Sequence, residues 1–211
     1  MKKLALLLFA AVISLAAANK AILDNSKITG YKITGETESY LELGFNVKEI
    51  SYKDVTTEKG VFSSISIEKG YLTRNEGSPA LPAMHQMIAM PYGADPSVEI
   101  ISYDKKIYSL KDSGITNPVM PAQPSWSKMT KPEDIKFIYN ESSYKSSKFN
   151  EGVLAEGTKS GTMRGVGVGV LKVYPFKYNP AAGTVEVYNN LKVRVIYANA
   201  HPNAGQIAKD E

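Results

Sequence analysis

Apolar and polar residues alternate along much of the chain. Residues 40–50 read YLELGFNVKEI, with an apolar side chain at every odd position from 41 to 47. Residues 191–197, LKVRVIY, repeat the pattern, and shorter copies occur at 65–67, 98–100 and 185–187. A period of two with one apolar face indicates a half-buried β-strand.

Turn-forming residues separate these segments. They occur in EKG at 58–60, YGADP at 92–96, NPAAG at 179–183 and the Asn189-Asn190 pair,. The last two predict a meander of strands over 168–173, 184–188 and 191–197. No helix of three turns is predicted, only a single helical turn over Lys131–Ile135 that begins at Pro132. We therefore expect an all-β, antiparallel β-sandwich, jelly-roll-like, with one long loop.

The periodicity weakens between residues 104 and 162. This stretch is rich in Ser, Lys, Pro and Tyr, and it contains PAQPSWSKMTKP at 121–132, with the only Trp of the chain. A connection of this length inside a compact domain is often functional. The segment 199–211 is polar and is expected to be a linker or a frayed end.

The first residues have the pattern of a secretory signal peptide. Lys2 and Lys3 precede an apolar run over 4–15, and three alanines follow at 16–18,. The run is too short to span a bilayer, and no later stretch is apolar enough to do so. The expected organisation is a signal peptide over 1–18, a β-sandwich domain over 19–198 and a polar tail over 199–211.

Composition excludes several functions. The chain has 25 basic and 21 acidic residues, for a net charge of +4. Lys2 and Lys3 belong to the expected leader, so its removal would leave a net charge of 23 − 21 = +2. This near balance, without a basic run, argues against nucleic-acid binding. The absence of Cys excludes a cysteine nucleophile and a thiolate metal site.

No residues are spaced for catalysis or for metal or cofactor binding. His85 and His201 are far apart, and neither has a second ligand at metal-binding spacing. Gly165, Gly167 and Gly169 do not complete a dinucleotide fingerprint, and we interpret them as one face of a strand that a bulky group can approach closely. Arg164 either pairs with a carboxylate or is an ordinary surface residue. The residues alone indicate a secreted, non-catalytic binding module without a metal or a cofactor.

Three long segments resemble one known family. GSPALPAMHQMIAMPYGADPSVEI (77–100), IYSLKDSGITNPVMPAQPSWSKMTKPEDIKFIYN (107–140) and GTMRGVGVGVLKVYPFKYNP (161–180) are similar to gingipain prodomains, the N-terminal propeptides of bacterial C25 cysteine proteases. The similarity covers roughly residues 55–197. It is greatest to the prodomains of lysine-specific members, around PSWSK and GTMRG.

The resemblance implies a β-sandwich that packs on a gingipain-like catalytic domain, helps it to fold and keeps it latent during export from a Gram-negative cell. In such prodomains a basic residue on a long loop enters the S1 pocket of the protease, and that position matches Lys128. Trp126 would anchor the same inhibitory loop, which also contains Ser127 and Met129. The matching processing site follows a basic residue, for which Lys209 is a candidate.

Several alternatives stay open at this point. The chain lacks the catalytic Cys and His of the family, so it is either the N-terminal part of a protease precursor or a free-standing inhibitor. A secreted adhesion or carbohydrate-binding module is a third possibility. For the loop, the simpler alternative is that Trp126 covers an edge of the sandwich and Lys128 is only solvated.

Overall fold

The computed structural model describes residues 19–24, 29–131 and 134–210, so the predicted signal peptide over 1–18 lies outside the described residues. Strands dominate the described part. The strands are β1 (Asn19–Ile22), β2 (Gly30–Glu36), β3 (Tyr40–Asn46), β4 (Glu49–Thr57), β5 (Gly60–Ser66), β6 (Tyr71–Leu72), β7 (Pro82–Met90), β8 (Asp95–Ser109), β9 (Ala155–Met163), β10 (Val166–Val173), β11 (Phe176–Asn179) and β12 (Thr184–Ala198). The helices are α1 (Glu141–Tyr144) and α2 (Ala204–Asp210).

The strands form three sheets, and neighbouring strands run antiparallel. One sheet has the order β1-β4-β5, the second β6-β7-β10-β9, and the third β11-β12-β3-β2, with β8 also paired to β12. The all-β antiparallel class predicted from the alternation is confirmed.

One apolar cluster joins the three sheets. On β3, Leu41, Leu43 and Phe45 are buried while the residues between them are half-buried, which is the predicted two-residue period. Their side chains share this cluster with Ile50 and Ile65 of the first sheet and with residues of the second. Burial of such side chains contributes about 1.5–3 kcal/mol each, so the body of the molecule is held chiefly by apolar packing.

The prediction of two strands separated by a turn at Asn189-Asn190 is wrong. β12 continues through these residues with a bulge, where its register against β8 shifts. Asn190 has a φ of 47°, which bends the strand,. The side-chain amide of Asn189 accepts the Val47 N–H at 2.6 Å and donates to the Val47 carbonyl at 3.1 Å, and so replaces the backbone pairing that the bulge removes.

The interpretation of the glycine-rich strand is confirmed for Gly167 and Gly169 but not for Gly165, which lies in the turn before β10. On β10, Gly167 and Gly169 face the interior, and Val166 and Val168 lie on the opposite, half-buried face. A Cβ on Gly169 would lie 3.0 Å from Cε of the buried Met90, so the missing side chain makes room for this methionine. Arg164 and Gly165, both with positive φ, form the two-residue turn between β9 and β10,.

Two local predictions need correction. The irregular stretch is shorter than 104–162, because β8 extends to Ser109 and β9 begins at Ala155. The tail is not simply a frayed end, since residues 204–210 form α2. The helical turn over Lys131–Ile135 falls partly outside the described residues; what is seen of it is an N–H of Asp134 that donates to the Lys131 carbonyl at 3.0 Å.

Candidate functional site

Among the described residues, the most exposed large apolar side chain, Met129, lies next to a cation on the loop over residues 124–131 and 134–137, which we call the tip loop. Met129 is 91% exposed and Trp126 is 41% exposed, and Lys128 between them is exposed as well. No ion pair within the described residues involves Lys128, so its charge is free to meet an external partner. The exposure of Trp126 shows that the sandwich uses only part of the indole surface.

The outgoing arm of the tip loop is fixed on an edge of the sandwich. Residues 118–122 run beside β5 in a parallel bridge between Ser63 and Val119. Ser63 donates its N–H to the Pro118 carbonyl at 2.8 Å, and its own carbonyl accepts the Met120 N–H at 2.9 Å. These bonds extend the first sheet by one short segment and set the point from which the loop leaves the body.

Gly77 connects the two arms of the loop. Its N–H donates to the Ala122 carbonyl of the outgoing arm at 2.8 Å, and its carbonyl accepts the Asn140 N–H of the returning arm at 2.9 Å. Gly77 has a φ of 77°, and a Cβ there would lie 2.9 Å from the Asn140 nitrogen. Glycine is therefore required both for the backbone conformation and for the close approach of the returning arm.

A second connection lies one residue further along. The Gln123 side chain donates to the Ile138 carbonyl at 2.8 Å and accepts the Ile138 N–H at 2.9 Å. Ala122 makes backbone bonds to Gly77 and Ser78, but Pro124 has no N–H with which to extend this pairing, and the Gln123 side-chain amide makes the next connection between the arms,. We call Gly77, Ala122, Gln123, Ile138 and Asn140 the neck of the tip loop.

Aromatic rings support the neck from the side of the sandwich. Phe62, on β5, contacts Phe137, Tyr139 and Tyr144 with ring centroids 5.9–6.0 Å apart. Tyr139 stacks on Tyr144 at 4.6 Å, and the Tyr144 hydroxyl donates to the Val119 carbonyl at 2.6 Å. Burial raises the pKa of Tyr144, so this phenol stays a neutral donor. The returning arm is thus packed on the same strand that holds the outgoing arm.

Other residues considered from the sequence lie elsewhere. His85 is exposed on β7, where partial burial and then the nearby Lys172 lower its pKa. The backbone N–H of His201 donates to the Tyr92 carbonyl at 2.8 Å, and its Nδ1 accepts the Asn203 N–H at 3.1 Å. Neither imidazole joins the neck or the tip loop.

Lys209 is exposed in α2. No cluster of three or more His, Cys, Asp or Glu suited to a metal occurs in the part of the chain that the structure describes. Among the same residues, no helix combines the length and the apolar character that crossing a bilayer demands.

The sequence pattern pointed to the tip of the loop but not to the neck. The neck brings together residues that are far apart in the chain: Gly77, Gln123 and Ile138. No pattern among their sequence neighbours predicts these contacts. The one usable signal was the pair of prolines near Gln123, because a polar side chain in a segment with few free N–H groups can make the bonds that the backbone cannot,.

A family model for the C25 propeptide, Propeptide_C25, matches residues 14–210. Lys-gingipain HG66 of Porphyromonas gingivalis is 34% identical over 208 residues, which cover 98% of this chain and 12% of that protein. Gingipain R2 of the same species is 26% identical over 164 residues, 78% of this chain and 21% of its own length. The chain thus spans only a small part of the curated relatives that it matches.

Two solved structures share the fold. One, on the zymogenic latency of gingipain K from Porphyromonas gingivalis, has a TM-score of 0.80 and 33% identity, and covers 87% of this chain and 100% of the other. The second, a complex of the pro- and mature domains of RgpB, has a TM-score of 0.67 and covers 81% of this chain and 85% of the other. Its identity of 22% supports the likeness in fold alone.

Proposed function

The chain belongs to the C25 propeptide family, the propeptides of gingipain-type cysteine proteases, and we propose that it keeps a lysine-selective member of that class latent by placing Lys128 in its S1 pocket. Support comes from one observation above all: an exposed, unpaired lysine stands at the end of a loop whose two arms are fixed at the neck. A fixed loop loses little conformational freedom on binding.

The chemistry of the proposed contact is that of a buried charge pair. A pocket that selects basic side chains offers carboxylate or carbonyl acceptors, and the Lys128 ammonium has three donors to satisfy them. Trp126 and Met129 flank the lysine and would cover apolar surface at the rim of the pocket, in the way that aromatic side chains act at binding hot spots. The chain itself would perform no reaction.

The test is inhibition of purified Lys-gingipain by the wild-type chain, Lys128→Ala and Lys136→Ala. Lys136 is an exposed lysine on the same loop and serves as the matched control. Truncating one partner of a buried charge pair costs about 2–5 kcal/mol, so Lys128→Ala should inhibit at least about 30-fold less well. Equal inhibition by the two variants would remove Lys128 from the mechanism, and no inhibition by the wild type would remove the proposed function.

Lysine selectivity has its own test. The planar guanidinium of Lys128→Arg differs from an ammonium in shape and in donor geometry. We expect this variant to lose inhibition of Lys-gingipain and to gain inhibition of Gingipain R2, because selectivity is a difference between two affinities. An unchanged preference would place the selectivity outside residue 128.

We also propose that the chain assists folding of its protease and is released by cleavage after Lys209. A preformed sandwich could offer a template surface, which recovery of active protease after refolding with and without the chain would measure.

Lys209 lies in α2, and this helix must unwind before a protease can bind its backbone in an extended form. Mass spectrometry of the processed precursor with Lys209→Ala tests this assignment.

Export completes the proposal. The pattern over residues 1–18 supports a signal peptide that is removed on the way to the periplasm, the cell surface or the medium,. The intact mass of the exported chain would measure this directly, and retention of residues 1–18 would contradict it.

A further inference from the structure

The end of the tip loop is a closed turn around the peptide bond between Lys128 and Met129. The Ser127 carbonyl accepts the Thr130 N–H at 3.0 Å, and the Ser127 Oγ accepts the Met129 N–H at 3.2 Å. Neither Lys128 nor Met129 has a positive φ, which matches a type I turn with these two residues at its centre,. Both side chains point outward and are exposed.

A turn is a poor substrate for a peptidase. Cleavage needs the scissile peptide in a near-attack geometry within an extended, strand-like segment. The first and fourth Cα atoms of a β-turn lie within about 7 Å, whereas the same three steps of extended chain span about 10 Å. The Lys128 side chain can therefore enter a pocket while the bond that follows it stays in the wrong conformation for attack.

We propose that Ser127 is a positioning residue that lets this chain occupy a lysine-selective pocket without being cut after Lys128. The inference rests on the proposed function, and it adds the reason why an exposed lysine on a loop remains an inhibitor. Hydrolysis there would consume one water and leave a carboxylate on Lys128 and an amine on Met129. The two bonds to Ser127 oppose the opening that this reaction requires.

The neck makes the opening harder. Extending the turn lengthens the loop end, while Gly77 and the Gln123–Ile138 pair keep the two arms at a fixed separation. The loop would have to break a contact at the neck or move its tip out of the pocket. Ser127 therefore acts on a segment whose two ends are already held by the neck.

The experiment compares the wild-type chain with Ser127→Ala and Ser127→Thr, each incubated with Lys-gingipain, and quantifies cleavage between residues 128 and 129 by mass spectrometry. Ser127→Ala loses the side-chain acceptor, and Ser127→Thr keeps it. Since one net hydrogen bond changes the open population about fivefold, Ser127→Ala should be cut about fivefold faster, with inhibition that decays over time. Ser127→Thr should behave like the wild type.

A second protease separates this inference from the proposed function. Trypsin cuts after lysine and is unrelated to the C25 family. If the turn protects the bond after Lys128, trypsin should also cut Ser127→Ala faster than the wild type and Ser127→Thr. Equal cleavage rates of the wild type and Ser127→Ala by both proteases would overturn the role of Ser127. Failure of the wild type to inhibit Lys-gingipain would instead overturn the proposed function, whatever the cleavage rates are.

Discussion

Two side-chain amides do the same chemical task in two different regions of the molecule. Asn189 pairs with the N–H and the carbonyl of Val47 inside the sandwich, and Gln123 pairs with the same groups of Ile138 at the neck. Asn189 is 8% exposed, and its partner Val47 is fully buried in the apolar cluster. Gln123 is half-buried and has the open tip loop on one side.

On the proposed function, these two regions separate stability from recognition. In the body, an unpaired polar group costs about 1–3 kcal/mol because water cannot replace the lost partner. At the neck, water can reach part of the site and replace a lost partner. Loss of the Gln123 amide should therefore free the two arms of the tip loop to move apart more than it lowers the stability of the chain. Substitutions in the two regions should therefore divide into those that lower the free energy of unfolding and those that weaken inhibition.

Asn189→Ala should give the largest effect on stability. It leaves the N–H and the carbonyl of the fully buried Val47 without their partner, and we expect the free energy of unfolding to fall by about 2–5 kcal/mol. Urea denaturation measures this. Gln86→Ala is the control, because the Gln86 amide bonds only the adjacent Met87 carbonyl at an exposed site. Equal losses in the two variants would contradict the importance assigned to the bulge.

Gly77→Ala should affect both properties. The added Cβ is strained at positive φ and crowds the Asn140 backbone, so stability should fall by about 1–3 kcal/mol and inhibition should weaken markedly,. Gly183→Ala is a matched control, since Gly183 also has a positive φ (60°) but has open space around the added Cβ. It should lose stability and keep full inhibition; a loss of inhibition in both variants would trace the effect to the body.

Gln123→Ala should have the opposite pattern to Asn189→Ala, with a small loss of stability and a larger loss of inhibition. We expect a loss of about 1 kcal/mol in stability and a clear loss of inhibition, because the arms of the tip loop are no longer held at the neck. Gln123→Glu keeps the acceptor for the Ile138 N–H and loses the donor to its carbonyl, so it should lie between. Inhibition and urea denaturation are measured on the same preparations. If the loss of inhibition in the Gln123 variants is proportional to their loss of stability, the role of Gln123 is purely structural.

Acid should weaken the body by a smaller amount. Burial alone would raise the pKa of Glu186, but hydrogen bonds from the Tyr188 hydroxyl at 2.7 Å and the Lys105 ammonium at 3.2 Å outweigh it and hold this pKa below its ordinary value of 4.5. The stabilisation is present above that value and is lost as the pH falls through the lower, folded pKa. Glu186→Gln should flatten the dependence of stability on pH below 4.5; an unchanged slope would exclude this carboxylate as a contributor.

The sequence was informative where structure is local. Alternation over 41–47 and 191–197 placed two central strands, because a period of two is repeated by neighbours in the chain. The prolines and the exposed PSWSKM run pointed to the loop. The glycines of β10 were correctly interpreted as the face that a bulky group, Met90, approaches.

The rest depended on partners distant in sequence. Asn189-Asn190 looks like a turn, yet Val47 supplies the contact that keeps β12 continuous. Residues 204–210 contain a glycine, and they still form α2, just after the point where the His201 N–H donates to the distant Tyr92 carbonyl. The neck likewise joins segments near residues 77, 122 and 138, which no local pattern brings together.

The most direct test is a crystal structure of the chain bound to the catalytic domain of Lys-gingipain. The account predicts the Lys128 ammonium inside the S1 pocket, about 2.7–3.2 Å from its oxygen acceptors, with the turn at Ser127 and the Gln123–Ile138 pair intact. A complex in which Lys128 lies in solvent, or in which another face of the sandwich covers the cleft, would contradict it.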